Sequence, residues 1–168
     1  MLLAAVCAGI CINAVLRAPA QEGDGPAMRR QRQSEAPKRI AVALIDDRVL
    51  FGQSLATAMN DQTTDLVAMH WKSVDALAAV PSVLQDADVV LVCIGRSSLS
   101  RGSMSRLIKA LLKQDGHPPV AILADTADAD IVAAGPAMGL RGVLSGKASL
   151  EVVASALRQI HAGGTIVP

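Results

Sequence analysis

The chain has 168 residues, 51% of them hydrophobic and 18% charged, with a formal net charge of +1. That length suits one domain with an extension, and the near-balanced charge gives no global field to draw nucleic acid or an anionic membrane. With one Trp, one Phe and no Tyr, the core must be built from Val, Leu, Ile, Ala and Met.

Met1 to Leu16 is an apolar run, shorter than the ~20 residues that a membrane-spanning helix needs. It can serve as the hydrophobic part of a secretory signal, with Ala18-Pro19-Ala20 as a small-residue cleavage site, but no Lys or Arg precedes it. Residues 21–39 are polar, with Gly, Pro and charges of both signs, and read as a disordered linker or tail. Met28 is an alternative start. The expected division is therefore an extension over 1–37 and a domain over 38–168. Arg29, Arg30 and Arg32 read as a solvated tail rather than a nucleic-acid contact. Cys7, Cys11 and Cys93 form neither a CxxC pair nor a disulfide framework, which points to a reducing compartment, the cytoplasm.

From Lys38 the pattern becomes regular. Ile40 to Ile45 is apolar throughout, as suits a strand buried on both faces of a parallel sheet, and it stops at Asp46-Asp47. Phe51, Leu55, Ala58 and Met59 recur as one face of a helix, which Asn60-Asp61-Gln62 closes. Leu66 to Met69 is a second strand. Ser73 caps a second helix through Val74 and Leu77, ended by Pro81. Asp88 to Ile94 is a third strand, followed by a loop from Gly95 to Gly102. Leu107, Ile108, Leu111 and Leu112 mark a third helix, and Val120 to Leu123 a fourth strand. A fourth helix runs from Asp128 to about Ala134, where Gly135-Pro136 interrupts it. Gly142 to Ser145 is a fifth strand. Val153, Leu157 and Ile160 line a last helix, capped by Ser149 and stopped by Gly163-Gly164. Strand–helix alternation with short loops implies a doubly wound five-stranded parallel sheet, a three-layer α/β/α sandwich.

In such sheets ligands bind beyond the carboxyl ends of the strands, where the strand order reverses. Asp46 and Asp47 lie there. Adjacent carboxylates repel unless a cation or a proton offsets them, and Mg²⁺ held through one or two carboxylates is the expected use. His70, His117 and His161 fall on different elements and suggest neither metal binding nor catalysis.

Residues 40–47, then Leu50 and Leu55, resemble the opening of a bacterial two-component response-regulator receiver domain. Ala87 to Val92 resembles the approach to its third strand, and Ala137 to Leu144 the run into its fifth. Ala148-Ser149 and then His161 to Gly164 resemble the last helix and an exit typical of receivers joined to a helix-turn-helix DNA-binding domain. The resemblance implies a flavodoxin-like fold. It also implies an Asp on the third strand that takes a phosphoryl group from a histidine kinase, with Mg²⁺ held by that Asp and the acidic pair. A Thr or Ser ends the fourth strand, an aromatic lies on the fifth, and a Lys follows it.

This sequence departs from that pattern at most of those positions. The phosphoacceptor position is Cys93, the Thr/Ser position Ala124, the aromatic position Val143, and the Lys position Gly146 with Lys147 one residue later. Asp88 lies too early on its strand, whereas a bulge could bring Asp125 or Thr126 to the Thr/Ser position, and a bulge at Gly146 could turn Lys147 inward. Only Asp46 and Asp47 remain, a weak Mg²⁺ site at best, with no other cofactor expected. The expectation is a degenerate receiver in phosphorelay signalling that is not an enzyme and acts by protein–protein contact without aspartyl phosphorylation. Its partner would be a histidine kinase or another response regulator, or a second copy through the last strand and helices, with no nucleic acid and no membrane. The alternative is a redox-sensing or enzymatic domain using Cys93.

Overall fold

The computed structural model describes residues 38–72, 84, 86–95, 99, 103–126 and 129–167. The expectations for the 1–37 extension and for the helix capped by Ser73 lie outside the described residues, as does most of the loop after the third strand.

Five parallel strands form one sheet: β1 (Ile40–Ile45), β2 (Leu66–Trp71), β3 (Val89–Gly95), β4 (Val120–Ala124) and β5 (Gly142–Ser145). Their order is β2-β1-β3-β4-β5. The order reverses between β1 and β3, so the crevice beyond their carboxyl ends is the place where this fold binds ligands. The described helices are α1 (Val49–Gln62), α2 (Ser103–Leu111), α3 (Ala129–Ala137) and α4 (Leu150–His161).

The continuous apolar runs are explained by burial on both faces. On one face Val42, Leu44, Leu91, Cys93 and Leu123 pack with Met59 of α1 and Val153, Leu157 and Ile160 of α4. On the other, Ala43, Ile45, Val90, Val92 and Ile122 pack with Ile108 and Leu111 of α2 and Ile131 of α3.

The first helix differs from the sequence expectation. Met59 is buried and Leu55 packs against the core as expected, but Gly52 and Ala56 complete the buried stripe and Phe51 is exposed. The small residues face inward because His70 of β2 lies against Gly52. The helix also runs through Asn60-Asp61-Gln62 to Gln62. Asn60 is not a turn residue here: its side chain donates to Ala68 O at 3.0 Å and accepts from Ala68 N at 2.8 Å, satisfying backbone on the outer edge of β2. Thr63 ends the helix instead, with its N–H and hydroxyl both donating to Met59 O.

Gly135-Pro136 does not interrupt α3, which continues to Ala137. The pair is tolerated because it lies in the last turn. Gly139 then takes φ +95°, with Leu140 N–H donating to Gly135 O and Gly139 N–H to Pro136 O, the two bonds of a Schellman stop. Gly135 serves packing, since a Cβ there would lie 2.5 Å from Val143 Cγ2.

The last helix follows expectation. Ser149 Oγ accepts from Val152 N at 3.3 Å, and Val153, Leu157 and Ile160 are buried. Beyond Gly163 the chain turns back, and Ile166 bridges the free edge of β5 through Ile166 N–H to Arg141 O and Val143 N–H to Ile166 O, both 2.9 Å.

Candidate functional site

The two adjacent carboxylates part company. Asp46 is fully buried at the end of β1, and Asp47 is exposed. Asp46 Oδ1 accepts the Arg48 backbone N–H at 2.8 Å, a two-residue turn that carries the chain from β1 into α1. Arg48 then folds its own side chain back. Its Nε donates to Asp46 Oδ1 at 3.1 Å and its Nη2 to Asp46 Oδ2 at 3.0 Å, a two-pronged guanidinium–carboxylate pair. The remaining prong, Nη1, reaches Asp125 Oδ2 at 3.1 Å, just past the end of β4. The Arg48 Cζ stands 4.3 Å from the centre of the Phe51 ring, which adds a cation–π contact. Hydrogen bonding to Asp46 pushes the guanidinium above its usual basicity against the pull of its own partial burial, and the charges of Asp46 and Asp125 add to this.

Asp125 reaches the site through an irregularity in the sheet. The β3–β4 register slips between Cys93 and Gly95, and Gly95 adopts φ +54°. Asp125 N–H then donates to Gly95 O at 2.9 Å, which sets its carboxylate beside Arg48. A bulge thus supplies the polar group that strict strand counting denies, as it often does beside functional sites. Asp125 also takes the room that a side chain at position 146 would need. A Cβ on Gly146 would lie 3.1 Å from Asp125 Cα and 3.2 Å from Ala124 O, so no lysine stem fits there unless the end of β4 shifts. Lys147 is exposed, with its backbone N–H on Ser145 Oγ.

Cys93 lies near the end of β3, just before the buried Ile94, and is 1% exposed. Burial, then the charge of Asp46 and a hydrogen bond to it, push its thiol far above the ordinary range; Arg48 opposes this and Asp125 adds to it. A thiol so placed stays protonated at neutral pH and is a poor nucleophile. Ala124 and Val143 are both buried in the core. Asp88 lies at the other end of β3, where it accepts the Ala41 N–H at 2.9 Å and pairs with Lys38. His70 Nε2 lies 2.9 Å from Asp46 O, so it buttresses the site through the backbone.

The structure therefore brings together Asp46, Cys93 and two residues that the strand pattern did not single out as a pair, Arg48 and Asp125. Asp125 entered the sequence reading only through a conjectured bulge, and Arg48 did not enter it. The available signal was a cation two residues after the carboxylate and three before an aromatic, a spacing that lets one side chain reach both.

These residues do not fit a hard divalent ion. Mg²⁺ needs near-octahedral oxygen ligands at about 2.0–2.1 Å, and the two oxygens of Asp46 already accept three N–H groups. An ion ~4 Å from the guanidinium would meet roughly 4 kcal/mol of repulsion per unit of its charge at an effective dielectric near 20. Among the described residues no group of three or more His, Cys, Asp or Glu side chains is disposed to hold a metal, and no helix is long and apolar enough to cross a membrane.

The sequence matches no protein-family model and no curated protein. The fold does match solved structures. A response regulator receiver protein from Pseudoalteromonas atlantica superposes with a TM-score of 0.59 at 15% identity, over 73% of this chain and 98% of that one. The isolated REC domain of RcsB from Salmonella enterica serovar Typhimurium gives 0.63 at 17%, over 78% and 94%. A LuxR family DNA-binding response regulator from Silicibacter pomeroyi gives 0.62 at 16%, over 77% and 97%. The strand order, the helices on both faces and these superpositions agree: the described residues have the flavodoxin-like fold of response-regulator receiver domains.

Proposed function

We propose that the chain is a receiver module of two-component signal transduction that acts through protein–protein contact, without aspartyl phosphorylation. The observation that carries this reading is Cys93. It stands at the end of β3 against Asp46, where phosphoryl transfer in this fold would need a carboxylate, and its thiol is buried and protonated. The other carboxylate beside that place, Asp125, is committed to Arg48. The module is read as a regulatory component rather than an enzyme. Its partner is a histidine kinase or another response regulator, or a second copy using β5, α3 and α4. The helix α3 on that face is continuous through Gly135-Pro136. The thiol-based alternative loses its footing, since a buried, protonated sulfur beside a carboxylate is neither an attacking group nor a ready redox sensor.

The test is incubation with acetyl phosphate or a candidate kinase, with and without Mg²⁺, followed by intact mass measurement. The expected result is no mass gain of one phosphoryl group. A stable, hydroxylamine-sensitive phosphoryl adduct on an Asp of this chain would overturn the reading.

A further inference from the structure

Two carboxylates at the end of a parallel sheet need a positive charge between them. Here the chain provides it. Asp46 is buried, Asp125 comes from the opposite side of the crevice, and one guanidinium lies within hydrogen-bond distance of both. Two further features fix that guanidinium. The Arg48 N–H sits on Asp46 Oδ1, and the Phe51 ring lies across its face. An arginine suits this place better than a lysine would, because its planar fork serves two carboxylates at once.

We infer that Arg48 is the resident cation of this site: it takes the place of a divalent ion between the carboxylates, excludes Mg²⁺ from them, and ties the β1–α1 loop to the β4–α3 loop with no phosphoryl donor. The inference rests on the reading of the chain as a receiver module and adds how its site is held. Asp125, just past the end of β4, is held at Arg48 without a phosphoryl donor, so Asp46, Arg48 and Asp125 present one arrangement. A partner that recognises it needs no prior metal loading or phosphoryl transfer.

The test is Mn²⁺ titration of the full chain, read by paramagnetic broadening of the amide signals of residues 46–48 and 125, with Mg²⁺-dependent Tm as a second readout. Wild type is expected to show no site-specific broadening and no Tm change at millimolar ion. Arg48→Gln removes the shared cation from Asp46 and Asp125. It is expected to bind Mn²⁺ at least roughly tenfold more tightly than wild type and to gain Tm with Mg²⁺, since an ion bound only to the native state stabilises it. Asp46→Asn in that background should abolish both effects. Arg48→Lys keeps a charge on Asp46 and is expected to exclude Mn²⁺ as wild type does, which provides a readable variant if Arg48→Gln does not fold. Site-specific Mn²⁺ binding by wild type or by folded Arg48→Lys would overturn the inference, and so would a folded Arg48→Gln that binds no better than wild type. Metal binding without phosphoryl labelling would remove this inference and leave the proposed function standing; phosphoryl labelling would remove the proposed function itself.

Discussion

Arg48 and Asp46 are two residues apart in sequence and are joined three times, twice through the guanidinium and once through the Arg48 backbone N–H. The same short segment therefore ends β1, starts α1 and neutralises the buried carboxylate between them.

Removing the arginine exposes what that pairing contributes. Arg48→Ala leaves Asp46 buried with the backbone N–H of residue 48 and the Cys93 thiol as its remaining donors. Breaking a fully buried pair costs roughly 3–5 kcal/mol, and since Arg48 is 39% exposed a loss of about 2 kcal/mol is expected. Urea unfolding should show the lower midpoint with an unchanged m-value. Asp46→Asn in the same background should recover part of the loss, because the group left behind is then neutral.

Gly52 is required by a neighbour rather than by its own backbone. A Cβ at that position would land on the His70 ring and lie 3.1 Å from Asp46 Cβ. Alanine is worth ~1 kcal/mol over glycine inside an exposed helix, yet overpacking of this kind costs about 1–3 kcal/mol. Gly52→Ala is therefore expected to be net destabilising, and Gly52→Ala with His70→Ala to be closer to wild type than Gly52→Ala alone. Equilibrium unfolding of the single and double variants decides the sign.

Acid sensitivity has two identified sources. The hydrogen bonds from Arg158 hold the Asp65 carboxyl below its ordinary value of 3.8, outweighing partial desolvation. Burial pushes Asp88 up, but the Ala41 N–H and Lys38 outweigh it and leave that carboxyl lowered too, with the charge of His161 adding. A lowered folded-state value means that the unfolded chain takes up protons first. The stabilisation is fully present above the ordinary carboxyl value and is lost as pH falls through the lower folded-state values. Unfolding free energy measured from neutral pH down past 3.8 should fall along that limb, and Asp65→Asn and Asp88→Asn should each flatten it.

Cys93 should be silent in the native state. In a Cys7→Ser, Cys11→Ser background, a thiol reagent is expected to react with it only at the rate of unfolding, with no added reactivity as pH rises through the normal thiol range. Fast, pH-dependent labelling of the folded protein would show an accessible thiolate.

The sheet was legible because burial on both faces leaves long unbroken apolar runs, and β5 matches its expected bounds residue for residue. The face of α1 was not, because helical periodicity counts large apolar residues. Its buried stripe also contains Gly52, which meets His70, and Ala56, and these carry little such signal. Gly135-Pro136 misled for a related reason: local propensity marks a breaker, but the close approach of α3 to Val143 asks for a residue without a Cβ. The site was half legible. Asp46 and Cys93 fall where strand counting puts them. The Arg48–Asp125 contact spans 77 positions and depends on a register slip at Gly95, which no local pattern encodes.

The return of Ile166 along β5, with Asn60 on the far side against β2, has a bearing on how this protein behaves at high concentration. The two outermost strands are where a neighbouring molecule would add its own strand and begin to stack. At each of them part of the backbone is already engaged from within, by a tail residue on one flank and a carboxamide on the other. Self-association should therefore proceed through side chains on helical surfaces, and fibre-like growth from the flanks of the sheet should be suppressed.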